Sequence, residues 1–230
     1  MLGTASVSQA KDLKDVRILV YAAYGTPNHL YVTGRVLEGS GRKEDETNQS
    51  KVKTLFREVK SFLTAEVEEL PLQFRCEGTA LATSTDDEGL FDVKLIALDE
   101  KKFTSTPQTV LNIEITDRSG KYKNAKVSIL PTIVSPGSLV IVSDFDDTVV
   151  HSNVTEKHKL ILSTLMKNPK ELKAVPGPPE LYRALEKSGR AGTPFFYLSG
   201  SPVNLFEKLV AYMTHNRFPL GPAILKNLGM

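Results

Sequence analysis

The stretch 139–148 constrains this chain more than any other part of its sequence. Four apolar residues, Leu-Val-Ile-Val at 139–142, follow one another without a polar residue between them. This pattern is typical of a strand that is buried on both faces in the parallel sheet of an α/β domain. Three carboxylates follow within four residues, at Asp144, Asp146 and Asp147. They are predicted to lie at the carboxyl end of the strand, the edge where open α/β sheets bind ligands.

These aspartates are too close together to stay charged in a poorly solvated site without compensation. Either their pKa rises or a cation neutralises them, and a hard divalent ion such as Mg²⁺ suits their oxygen ligands. Because residues two apart on an extended segment point to the same side, Asp144 and Asp146 can face one reaction centre. One can act as a nucleophile and the other as a general acid/base. The alternative interpretation is a solvated cap at the end of a strand.

A second strand-like run, 193–198, leads into a group of small residues, Ser199, Gly200 and Ser201. Ser201 as N-cap and Pro202 at the first helical position predict that a helix begins here. Free backbone N–H groups and the helix dipole at such a junction favour a phosphate. We therefore predict that Ser199 donates its hydroxyl to a phosphate, with an ordinary capped helix as the alternative.

Four blocks of sequence together resemble a family of phosphohydrolases. They are Ser-Asp-Phe-Asp-Asp-Thr-Val at 143–149, Val-Pro-Gly at 175–177 with a helical pattern at 180–185, Tyr-Leu-Ser-Gly-Ser-Pro at 197–202, and Phe-Pro-Leu-Gly-Pro at 218–222. In order and spacing they are similar to the catalytic domain of the actin-patch type of phosphatidate phosphatase, in the haloacid dehalogenase superfamily. The resemblance implies a Rossmannoid α/β domain that hydrolyses phosphatidate to diacylglycerol and phosphate.

The resemblance also implies roles for individual residues. Asp144 would be the nucleophile that forms an aspartyl-phosphate, Asp146 the acid/base, and Thr148 a residue that orients the loop. Three residues at the end of the second strand would bind the substrate phosphate: Ser199, Gly200 and Ser201. Mg²⁺ would be held by the carboxylate of Asp144 and the backbone carbonyl of Asp146.

The superfamily continues with a lysine and an acidic metal-binding motif beyond the last of these blocks. Lys226 is the nearest lysine, but it falls in the strand-like run 223–229, and we interpret it as a strand-end or surface residue. The acidic motif has no counterpart in the sequence. We therefore expect the 230-residue chain to be a C-terminally incomplete fragment with weak activity.

The first 137 residues have a different pattern, typical of a β-sandwich. Seven strand-like runs recur with turn residues between them: 16–22, 29–37, 72–75, 79–83, 91–98, 110–115 and 125–130. Apolar residues at helical spacing over about 51–68 predict one inserted amphipathic helix. Pro-Thr-Ile-Val-Ser-Pro-Gly at 131–137 has the composition of a linker. We place the domain boundary there, between a sandwich at 1–137 and a phosphatase domain at 138–230.

Composition limits the compartment and the partners. A formal net charge of +2 gives no electrostatic argument for nucleic acid. The single cysteine, Cys76, indicates a reducing compartment, and no apolar stretch is long enough for a transmembrane segment. We expect a cytoplasmic protein that contacts phosphatidate peripherally at membrane surfaces. The family resemblance adds a cytoskeletal or endocytic protein as a partner.

Two other functions stay open at this point. The chain could be a non-catalytic scaffold that binds a partner protein and keeps a relict site. It could also be a phosphatase of soluble or protein phosphates, because the Asp-x-Asp-x-Thr loop serves many substrates and the leaving group is selected elsewhere.

Overall fold

The computed structural model describes residues 13–39, 67–98, 102–104, 109–145, 177–188 and 192–227. Within these ranges eleven strands and two α-helices form two units. The predicted helix at 51–68 lies almost wholly outside the described residues, as do Asp146, Asp147 and Thr148. No helix in the described ranges is long and apolar enough to cross a membrane.

The first unit is built from two four-stranded sheets, with the strand orders β5-β2-β1-β8 and β4-β3-β6-β7. Its strands are β1 (Val16–Gly25), β2 (His29–Glu38), β3 (Pro71–Cys76), β4 (Thr79–Ser84), β5 (Leu90–Ile96), β6 (Leu111–Ile115), β7 (Ala125–Ile129) and β8 (Thr132–Ile133). All neighbouring strands are antiparallel except β1 and β8, which are parallel. Each of the seven predicted runs forms a strand, with small shifts at the ends.

In β3, β5 and β6, buried and more exposed side chains alternate along the strand. In β5, Phe91, Val93 and Leu95 face the core while the residues between them face solvent, as a strand with one buried face requires. The ring of Phe91 meets that of Phe74 from the other sheet edge to face, 5.5 Å between centroids. Cys76 is a free, buried thiol in the same core.

The segment 131–137 does more than link the two units. Thr132 and Ile133 form β8, which pairs with Tyr24 and Gly25 at the end of β1. Ile133 is 6% exposed and belongs to the core of the first unit. The prediction of a plain linker is wrong for these two residues, because the apolar side chain and the open edge of β1 outweigh the flanking proline and glycine.

The second unit contains a three-stranded parallel sheet with the order β11-β10-β9. Its elements are β9 (Ile141–Asp144), α1 (Pro178–Glu186), β10 (Phe195–Pro202), a 3₁₀ turn (Val203–Leu205), α2 (Phe206–His215) and β11 (Ala223–Lys226). Both helices pack on the same side of the sheet. Tyr182 of α1 stacks on Phe195 at 5.1 Å, and Tyr212 of α2 meets Phe145 at 6.0 Å. The haloacid dehalogenase-like class stays a prediction.

The sequence predicts that the first strand of this sheet is buried on both faces, but the structure shows that one of its faces is exposed. Val142 in β9 is 58% exposed, and Leu139 just before it is 67% exposed. Ser143, on the side of the helices, is buried. The reason is that α1 and α2 cover one face of the sheet, and no element in the described part of the chain covers Val142.

The second helix of this unit begins later than predicted. β10 continues to Pro202, and α2 begins at Phe206 after the 3₁₀ turn. Ser201 makes no side-chain cap and is 4% exposed. Pairing between Pro202 and Lys226 of β11 extends the strand through the expected cap, because here the strand partner outweighs the local capping signal.

The two units contact each other along β1, β2 and the start of α2. The guanidinium of Arg17 in β1 is paired with the carboxylate of Glu207. Arg35 in β2 donates a hydrogen bond from Nη1 to Oδ1 of Asn204, at 2.6 Å. These contacts fix the beginning of α2, and with it the end of β10, against the first unit.

Candidate functional site

A cleft of about 440 Å³ lies at the carboxyl ends of the three parallel strands. Each strand contributes polar residues to it: Asp144 from β9, Ser199 and Gly200 from β10, and Lys226 from β11. Parallel strands end at the same edge of a sheet, which is why residues far apart in sequence meet here. Three apolar residues of the described ranges also line it: Leu198, Ile224 and Leu225.

Asp144 is directed to the cleft by the burial of its two neighbours. Ser143 is 6% exposed and Phe145 is 1% exposed, while Asp144 between them is exposed. The hydroxyl of Ser143 donates to the backbone carbonyl of Asp144 at 2.7 Å and lies 2.8 Å from the hydroxyl of Tyr182. This buried pair of hydroxyls holds the end of β9 in position beneath the carboxylate.

Ser199 and Gly200 form the opposite edge of the cleft. Oγ of Ser199 accepts a hydrogen bond from the backbone N–H of Ser201 at 3.0 Å. Apart from its chain neighbours, no atom of the described residues lies within 4 Å of the place where a Cβ of Gly200 would stand, so these residues leave its backbone open. Both residues lie where a bound anion could be reached by a hydroxyl and by backbone N–H groups.

Ser201 does not line the cleft, although the sequence groups it with the other two. Its Oγ is buried and has no hydrogen-bond partner in the described part of the chain. In a regular strand Ser201 would lie on the same side as Ser199. The pairing of β10 with β11 is irregular between Leu198 and Pro202, the stretch that contains both serines. A role for Ser201 in phosphate binding stays a prediction.

The structure places Lys226 at the candidate site, which its sequence context did not indicate. It does end a strand, as interpreted, but that strand end faces the same cleft as Asp144 and Ser199. Its ammonium group can balance a carboxylate and attract a phosphate. The missing information was the order of the strands, since a lysine at a strand end is placed in a site only when the neighbouring strands are known.

The predicted metal site is described only in part. Within the described ranges, no three His, Cys, Asp or Glu side chains are grouped so that they could hold a metal ion. Asp144 supplies one exposed carboxylate at the cleft, the kind of oxygen ligand that Mg²⁺ takes. Its predicted partner Asp146 lies outside the described residues, together with Asp147 and Thr148.

Comparison with known proteins identifies what this segment is similar to. Residues 139–230 match the family model of the catalytic domain of phosphatidate phosphatase APP1. Over 93 residues the chain is 34% identical to phosphatidate phosphatase APP1 of Saccharomyces cerevisiae. The match covers 40% of this chain and 15% of the length of the yeast protein. The predicted resemblance to this type of catalytic domain is confirmed for the matched segment.

Two solved structures were also found to be weakly similar. Macromomycin aligns with 52% of this chain and 99% of its own length, with 11% identity and a TM-score of 0.23. A carbohydrate acetylesterase from Xanthomonas citri aligns with 91% of this chain and 50% of its own length, with 10% identity and a TM-score of 0.34. At these TM-scores neither structure bears on the fold or the function of this protein.

Proposed function

We propose that residues 138–230 form the catalytic segment of a magnesium-dependent phosphatidate phosphatase. Its reaction would convert phosphatidate to diacylglycerol and inorganic phosphate at the cytoplasmic surface of a membrane. The observation that supports it most is the cleft where Asp144, Ser199 and Lys226 meet at the ends of three parallel strands. This cleft lies within the segment that matches the APP1 catalytic domain.

The carboxylate of Asp144 would attack phosphorus and form an aspartyl-phosphate, and the bond to the glycerol oxygen would break. Asp146 would protonate the departing alkoxide of diacylglycerol and then take a proton from the water that hydrolyses the intermediate. Dividing the displacement into two steps lowers the barrier that each must cross. Mg²⁺, held by the Asp144 carboxylate and the Asp146 carbonyl, would neutralise charge on the phosphoryl oxygens.

The remaining cleft residues would hold the phosphate in line for this attack. Ser199 can donate its hydroxyl, and the open backbone at Gly200 can approach a phosphate oxygen closely. Lys226 would add a charge-assisted hydrogen bond, which is stronger than a bond between neutral groups. Together they supply donors to an anion that the Asp144 carboxylate alone would repel.

The proposal is tested by phosphate release from phosphatidate in mixed micelles, with and without Mg²⁺. We expect release only with the metal, and a loss of about three orders of magnitude or more in Asp144→Asn, as is usual when a nucleophile is removed. Because Asp144 is exposed, its variant should keep the wild-type melting temperature. Asp92→Asn, an exposed carboxylate on β5, is the matched control and should retain full activity.

Three results would speak against the proposal. Undiminished activity in Asp144→Asn would show that Asp144 is not the nucleophile. Glycerol 3-phosphate hydrolysed as fast as phosphatidate would indicate a phosphatase of soluble phosphates. A folded chain that releases no phosphate from either substrate would favour a scaffold with a relict site.

A further inference from the structure

A second space, an apolar cavity of about 330 Å³, adjoins the cleft. One wall comes from the first unit, from β1 and residues 129–132. The other comes from α2 and the segment that leads into β11. Ser199 and Leu225 line both the cavity and the polar cleft, so the two spaces border each other at these two residues.

The described residues that line this cavity bear no formal charge. None of the described residues that form it is an aspartate, glutamate, lysine, arginine or histidine. The phenols of its described lining are Tyr21 and Tyr197; burial raises the pKa of Tyr21 to about 12 and that of Tyr197 well above its ordinary value. The hydroxyl of Tyr197 is satisfied within the protein, donating to the carbonyl of Pro219 at 2.8 Å.

Contacts between the two units keep the cavity walls apart. Tyr21 meets the ring of Phe206 edge to face, with 5.0 Å between centroids. The Arg17–Glu207 ion pair joins the same strand to the same helix. These contacts hold β1 at a set distance from α2, so the space between them is built into the fold.

The size and the chemistry of the cavity limit what can fill it. Its volume falls within the range of ligand-binding pockets. Water gains few hydrogen bonds in an apolar space, whereas a hydrocarbon chain loses contact with water by entering it. The occupant must also be compatible with a neighbouring cleft that has a lysine and a serine for an anion. A molecule with a phosphate at one end and a hydrocarbon chain at the other meets both conditions.

We propose that this cavity binds one acyl chain of the lipid phosphate whose headgroup occupies the cleft between Asp144 and Lys226. The inference rests on the proposed function for the headgroup. It adds that the first unit forms a wall of the substrate site, so that preference for a lipid over a soluble phosphate resides between the two units.

The test is the binding of octyl phosphate and methyl phosphate to the full chain, measured by calorimetry below the micelle-forming concentration. Magnesium-free buffer separates binding from turnover. Each buried methylene strengthens binding by up to about fourfold, so we expect octyl phosphate to bind more tightly than methyl phosphate by about a hundredfold or more. Equal affinity for the two phosphates would overturn the proposal.

Leu220→Glu places a carboxylate at the cavity. Leu220 is 58% exposed, so the change should leave the fold intact. We expect it to weaken octyl phosphate binding by about tenfold or more and to leave methyl phosphate binding unchanged. Leu181→Glu is the matched control, since Leu181 on α1 is 57% exposed and lines neither space. An equal effect of the two variants would contradict the proposal.

An uncharged variant separates the loss of space in the cavity from the electrostatic effect of the carboxylate in Leu220→Glu. Val210→Phe should fill the cavity from α2 and again weaken binding of octyl phosphate alone. Ala211→Phe, at an exposed position on the same helix, is its control and should bind like the wild type. If Val210→Phe binds octyl phosphate as well as Ala211→Phe does, the chain does not enter the cavity.

Phosphate release, measured in parallel, separates this proposal from the proposed function. A preference for octyl phosphate that Leu220→Glu removes, with no phosphate release from phosphatidate, would support the cavity and refute the phosphatase. Phosphatidate hydrolysis that is unaffected by Leu220→Glu and Val210→Phe, with no preference for octyl phosphate, would support the phosphatase and overturn the cavity proposal.

Discussion

At the residue scale, the position of Asp144 in the cleft follows from the alternation of buried and exposed side chains at the end of β9. Ser143 and Phe145 are held in the interior, which leaves the Asp144 carboxylate exposed to the cleft. Lys226 reaches the same space from β11.

If Lys226 binds the phosphate, Lys226→Ala should lower kcat/KM by about tenfold to a hundredfold, the effect of losing a hydrogen bond to a charged group. Steady-state kinetics with phosphatidate micelles measures this change.

Two further variants are the controls for Lys226→Ala. Lys226→Arg keeps the charge and should retain most of the activity. Lys94→Ala, on an exposed position of β5, should behave like the wild type. Unchanged kinetics in Lys226→Ala would mean that the lysine is a strand-end surface residue, as its sequence context suggests.

The loop between β6 and β7 is ordered by one carboxylate. Asp117 accepts hydrogen bonds from the backbone N–H groups of Tyr122 at 2.7 Å and Ser119 at 2.8 Å. The bond from Tyr122, followed by those from Ser119, lowers the pKa of Asp117 from 3.8 to about 2. Because the folded-state pKa is depressed, the stabilisation is present above about pH 4 and is lost as the pH falls towards 2.

Thermal melting across acid pH tests this loop. We expect the melting temperature of the wild type to fall more steeply than that of Asp117→Asn below about pH 4, since the variant has no carboxyl group to protonate there. Asp87→Asn, in the exposed turn before β5, is the control and should follow the wild type. Parallel curves for the wild type and Asp117→Asn would show that the carboxylate does not stabilise the loop.

At the scale of elements, sequence and structure agree where the signal is local. Short strand-like runs separated by turn residues located all seven strands of the first unit. Signals that depend on neighbours were less reliable. Ser201 and Pro202, predicted to begin a helix, instead belong to β10, which pairs with β11 as far as Pro202. The exposure of Val142 depends on which face of the sheet the helices cover. The cleft position of Lys226 likewise required the strand order.

The molecule as a whole is joined through a buried arginine. Arg35 is 7% exposed; its Nε donates to the carbonyl of Glu88 at 2.9 Å and its Nη1 to Asn204 in the other unit. Arg35→Ala would leave these acceptors without their donor, which costs about 1–3 kcal/mol. We expect the urea midpoint to fall accordingly. Because the cavity lies between the two units, we also expect Arg35→Ala to bind octyl phosphate with less preference over methyl phosphate than the wild type does.

The control for this interface is Arg118→Ala, which removes an exposed arginine from the loop between β6 and β7. Its urea midpoint should stay close to that of the wild type. If Arg35→Ala is no less stable than Arg118→Ala, the hydrogen bonds of Arg35 do not hold the two units together.

The identity of the nucleophile is the central claim, and trapping the covalent intermediate tests it most directly. The chain would be mixed with Mg²⁺ and phosphatidate that bears a radiolabelled phosphate, quenched in acid and digested into peptides. We predict that the label is found on the peptide that contains Asp144 and is absent from Asp144→Asn. Release of labelled phosphate without label on that peptide, at a rate that Asp144→Asn does not change, would contradict the account.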